Sequence, residues 1–80
     1  VFYIDGVTAV PNCEIKIEDT NGNVISDIQS ADGNYSATLQ AGDYVINVFL
    51  NGANIGTLNI TIVAGQNNTA NVGTQRSVPN

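Results

Sequence analysis

The sequence predicts an all-β domain, a small seven-stranded antiparallel sandwich, and three observations predict it. Short β-branched or aromatic stretches recur about every ten residues, the spacing of an all-β sandwich or barrel. Several of them alternate strictly between apolar and polar residues, the mark of a strand with one face buried and one face in water. Between them stand Asn21-Gly22, Asp32-Gly33 and Asn51-Gly52, pairs that supply the positive φ angles of tight hairpin turns.

Each element follows from its residues. The chain opens on the apolar run Val1-Phe2-Tyr3-Ile4, taken as a first strand near 1–4. Pro11 ends a loop, and Cys13, Ile15 and Ile17 then alternate with Glu14, Lys16 and Glu18, giving a half-buried strand near 13–18. A third strand is expected near 24–29 after the Asn-Gly turn. In 34–40, Tyr35, Ala37 and Leu39 alternate with Ser36, Thr38 and Gln40. The stretch 44–50 is apolar on both faces except at Asn47, which predicts a central strand covered on its second side as well. Leu58, Ile60 and Ile62 alternate with Thr57, Asn59 and Thr61 in a strand near 55–63, and a last strand is placed near 67–73. The expected core is Ile15, Ile17, Leu39, Ile46, Val48, Leu58, Ile60 and Ile62. Residues 1–73 make the domain, and 74–80, with no periodic pattern, read as a C-terminal arm or linker.

Composition narrows the function. Eighty residues suffice for one domain with a small core. Only 11% of them are charged, against roughly 25% in an ordinary domain, so polarity comes from Asn, Thr, Ser, Gln and Gly. Seven acids against Lys16 and Arg76 give a net charge of −5, which leaves no cationic surface for nucleic acid or anionic membrane. No stretch is long and apolar enough for a membrane span. With no His and a single Cys, the His-centred triads, the usual zinc sites and an internal disulfide are all missing. The chain is therefore expected to be non-catalytic and to need no cofactor or metal. Cys13 reads as a small buried hydrophobe. The start at Val1 without Met implies a removed leader or a piece of a longer protein. Scarce Lys and twelve Asn suit an extracellular, cell-surface or virion-surface location.

The order Val10-Pro11-Asn12-Cys13-Glu14-Ile15-Lys16-Ile17, Asp19-Thr20-Asn21-Gly22-Asn23-Val24-Ile25, Ala31-Asp32-Gly33-Asn34-Tyr35 and Leu39-Gln40-Ala41-Gly42-Asp43-Tyr44-Val45-Ile46-Asn47-Val48 resembles the carboxypeptidase regulatory-like and Cna protein B-type domains. The resemblance spans roughly residues 4 to 72 and implies a transthyretin-like, immunoglobulin-like sandwich with Tyr35 and Tyr44 facing inward. Such modules serve as stalks, adhesin repeats, accessory domains and virion parts. Some Cna B-type members carry a Lys-to-Asn or Lys-to-Asp isopeptide bond promoted by an acid. Here the first strand has no Lys, Val48 stands where the resemblance would put the Glu, and Lys16 reads as a surface amine, so no crosslink is expected.

Other motifs are weighed the same way. Asp19-x-Asn21-x-Asn23 has alternating oxygen ligands, but Gly22 is misplaced for a calcium loop, and the hairpin turn is the better reading. Asn34, Asn59 and Asn67 begin Asn-x-Ser/Thr triplets and are the glycosylation candidates. Tyr3 and Phe49 are placed on an exposed face, since their apolar neighbours can fill the interior. With Val1 and Val78 they form the expected interface residues. The function expected is a structural module of an extracellular assembly such as a filament, adhesin stalk or virion, working through protein contacts with its own copies or neighbouring domains. The alternative is a carbohydrate-binding accessory domain of a secreted protein.

Overall fold

The computed structural model describes residues 1–64 and 71–79. Four strands, β1 (Cys13–Asp19), β2 (Val24–Ser30), β3 (Gly42–Leu50) and β4 (Ala53–Ile62), form one antiparallel sheet in the order β2-β1-β3-β4. No helix occurs among the described residues.

The hairpins are set by local chemistry. Asn51 and Gly52 both take positive φ, 53° and 83°, and Leu50 pairs directly with Ala53, so β3 and β4 are joined by the two-residue turn that matches strand twist. Between β1 and β2 the Asp19 carboxylate accepts the backbone N–H groups of Asn21 and Asn23, each at 2.9 Å. Asp19-x-Asn21-x-Asn23 is thus a turn closed by its own Asp19 carboxylate.

Alternation sorts the sheet into two faces. Cys13, Ile15 and Ile17 on β1 and Ile46 and Val48 on β3 are buried, with Ile28, Tyr44, Leu58 and Ile60 packed partly buried beside them. Cross-strand register brings Ile15 opposite both Ile28 and Val48, and Ile17 opposite Ile46. Of the expected core, Leu39, Leu58, Ile60 and Ile62 are half-buried rather than buried: the last three lie on the outer strand β4, and Leu39 lies outside the sheet.

Short extended stretches lie over the buried face. Phe2 bridges Ala9 antiparallel and Gly73 parallel. The Phe2 amide donates to Val72 O at 2.8 Å, the Thr74 amide donates to Phe2 O at 2.9 Å, and the Ile4 amide donates to Arg76 O at 2.8 Å. Val1, Tyr3, Val10 and Val72 join the core from these stretches. The expected strand near 1–4 is thus a single bridged residue, since Asp5 caps a turn immediately after it. Residues 34–40 form no ladder with a described residue, and Tyr35 and Leu39 pack partly buried against the core, as their alternation predicts. The strand near 67–73 falls outside the described residues except for 71–73.

β3 is central, as expected, but no described strand lies over its second side. Val45 and Phe49 are half-buried on the open outer face.

Candidate interaction surface

The outer face is polar and cross-linked by side chains. Asn47 sits at its middle: its Oδ1 accepts from Thr57 Oγ1 at 2.8 Å and from Asn54 Nδ2 at 3.3 Å, while its Nδ2 donates to Glu18 Oε2. Thr61 Oγ1 donates to Asp43 Oδ1 at 2.7 Å. Lys16 lies opposite Asn47 in register, yet its Nζ stands 5.3 Å from the centre of the Phe49 ring, a cation–π contact. The amine is therefore engaged by the ring in the open, outside any apolar enclosure. Intact-mass measurement is expected to give the sequence mass. A deficit of one ammonia or one water with Lys16 joined to Asn47 or another side chain would overturn this.

Of the sequence-derived interface residues, two stand where they cannot serve as an exposed patch. Val1 is 5% and Tyr3 6% exposed, both inside this chain's own core, and it is Ile4 that faces outward at 58%. The bridges at Phe2 hold this stretch over the sheet, and strand alternation places Val1 and Tyr3 together on the side that faces the core. Phe49 is on the outer face with Lys16 over it, and Val78 is exposed at 40%. Lys16 thus already occupies one face of the Phe49 ring. Asn59 is exposed on β4, and Asn34 is exposed in its turn with its Nδ2 donating to Asp32 Oδ2 at 3.3 Å. Asn67 lies outside the described residues.

The C-terminal arm is partly docked. Thr74 is 2% exposed, and the Gln75 amide donates to Ile55 O at 2.9 Å, so 74–76 belong to the packed body rather than to a free arm. Sequence reasoning missed this docking, since nothing in Thr-Gln-Arg-Ser carries a strand pattern. Cys13 is buried, its thiol directed at Val10 O at 3.6 Å and pushed upward in pKa by burial. No group of three or more metal-binding side chains occurs among the described residues, and no helix there is long and apolar enough to cross a membrane.

Three turn carboxylates share one electrostatic character. The Thr8 hydroxyl and backbone lower the pKa of Asp5, the Asn23 amide chiefly lowers Asp19, and the Asn34 amide chiefly lowers Asp32. A depressed carboxyl pKa contributes stability that is present above the unfolded value near 3.8 and is lost as pH falls through the folded value. Glu14 works oppositely: its hydrogen bond with Asp27 raises its pKa, so its protonated form is favoured in the fold. With three against one, the denaturation midpoint is expected to fall as pH drops below about 4. Asp19→Asn and Asp32→Asn should flatten that acid limb, and an unchanged limb in both would refute the assignment.

The two outer strands of the sheet differ. β2 carries Asp27, with Glu14 beside it on β1, together with exposed Val24 and Ile25. β4 carries no charged residue, and none occurs anywhere between Asp43 and Arg76. No family model matches the chain, and neither a curated protein nor a solved structure matches it.

Proposed function

We propose that this chain is a non-catalytic structural module that associates with copies of itself or with neighbouring domains in an extracellular assembly. The observation that carries the reading is the sheet's pair of outer strands in a chain with one Lys. Monomeric β-proteins usually protect such edges with Lys, Pro or bulges, because an outer strand presents backbone N–H and C=O groups ready to pair. β4 carries no charge, its one break in register lies at Ile55 and leaves Thr57 to Ile62 regular, and the fold has little stability in reserve at this size. The resemblance to carboxypeptidase regulatory-like and Cna B-type sandwiches, whose members include stalks and virion parts, agrees with the reading. So does the thin surface charge, which lowers the electrostatic cost of packing copies together.

Light scattering and electron microscopy of the purified chain over a range of concentrations test it. Concentration-dependent assembly is expected. A strict monomer at high concentration overturns it and favours the carbohydrate-binding alternative.

A further inference from the structure

We infer that self-association uses β4 specifically: Thr57 to Ile62 pair antiparallel with the same segment of a second copy about a twofold axis, joining two sheets into one. The inference rests on the reading of the chain as a self-associating module and adds the surface and the partner.

The topology narrows the choice. β1 and β3 are flanked on both sides, so among the described residues it is β2 and β4 that have a side without a neighbouring strand of the sheet. On β4, the end near Ile55 is already occupied by the Gln75 amide, and Gly56 lies tight against Thr74, where an added Cβ would come within 3.2 Å of the Thr74 side chain. The open part begins at Thr57. In an antiparallel ladder, residues alternate between exchanging hydrogen bonds with one neighbour and directing those groups to the other side. Thr57 to Ile62 therefore offers backbone donors and acceptors outward at every second residue. No described backbone group bonds to that stretch from outside the sheet.

Charge then selects the occupant. The chain has a net charge of −5, and copies repel unless they meet where no charge sits. Pairing β2 with β2 would bring together Asp27 carboxylates and the neighbouring Glu14 groups and strip them of water. Pairing β4 with β4 opposes only Thr, Leu, Asn and Ile. Its outer side presents Thr57, Asn59 and Thr61, and its inner side presents the half-buried Leu58, Ile60 and Ile62, which the copy's equivalents would cover. A strand paired with itself about a twofold axis is necessarily antiparallel, which is the geometry this sheet already uses.

The test compares single lysines on the two outer strands of the full chain by sedimentation, with hydrogen exchange of the 57–62 amides that point away from β3 read at low and high concentration. The parent chain is expected to dimerise, with those amides slowing as concentration rises. Asn59→Lys and Thr61→Lys, both at exposed positions, should weaken the dimer at least tenfold, while Ile25→Lys on β2 should leave it unchanged. If the parent dimerises and the β4 lysines have no effect, or Ile25→Lys dissociates it, the β4 assignment fails while self-association stands. If the 57–62 amides directed away from β3 exchange slowly and independently of concentration, the edge is already paired within the chain and the assignment fails again. A monomeric parent overturns both readings. The exchange measurement needs no variant, so misfolding of a lysine variant does not shelter the inference.

Discussion

Lysine in place of Tyr3 is expected to unfold the chain. Tyr3 is 6% exposed and packs in the cluster formed by Val1, Val10, Ile15 and Val48. Removing a buried aromatic ring costs about 3–5 kcal/mol. An ammonium at that position must in addition leave water without a partner or drag the 1–4 stretch off the sheet. The total stability of a chain this long is about 4–12 kcal/mol, so the substitution consumes most of it. Circular dichroism during urea denaturation should show no cooperative transition, or one shifted to much lower urea. A Tyr3→Lys variant as stable as the parent would show that this stretch is not part of the core. The consequence for assembly experiments is direct, because loss of association in this variant would report unfolding and not a damaged interface.

Alanine at Gly33 should come second in severity. Gly33 has φ of 86°, where an L-residue carries roughly 1–3 kcal/mol of strain. Its surroundings add to that: a Cβ there would stand 2.8 Å from Val10 O, 3.2 Å from Val1 O and 3.3 Å from Ala9 Cβ. The first two are backbone atoms of the stretches that cover the sheet, so relief requires moving the covering layer. Gly33 also receives the Val1 amine on its carbonyl at 2.8 Å and donates its own amide to Ser30 Oγ at 2.9 Å. Gly22 is the matched control, with φ of 83° and nothing within 4 Å of an added Cβ. Gly33→Ala should therefore lower the unfolding free energy clearly more than Gly22→Ala, which pays for backbone conformation alone. Equal losses in the two variants would mean that the contact with Val1 and Val10 is not maintained in solution.

What could be read from the sequence was what is local. The alternation of Cys13 to Glu18 fixes which side of β1 is buried, because a period of two leaves no other phase. Asn51-Gly52 sets the β3–β4 register for the same kind of reason, since the loop length determines which residues face each other. Val1 to Ile4 could not be phased. Four consecutive apolar residues alternate with nothing, and their orientation is decided by hydrogen bonds to residues as distant as Val72 and Arg76. In residues 34–40 the alternation gives the inward phase of Tyr35 and Leu39, and such a pattern is silent on a backbone partner. The absence of charge along β4 was visible from the first, but whether that strand lies at the edge depends on the order β2-β1-β3-β4. That order is set by long-range pairing, on which local patterns are silent.

The parallel bridge between Phe2 and Gly73 has a mechanical consequence. Tension applied through the two ends of the chain would draw the first stretch toward its N-terminal side and the last toward its C-terminal side. Because the two run parallel, these pulls act in opposite directions along adjacent backbones. The bonds from the Phe2, Thr74 and Ile4 amides would then share the load in shear and fail together, instead of opening one after another as in a peeled hairpin. A module joined to neighbours at both ends would carry tension across this clasp before any of it reached the four-stranded sheet.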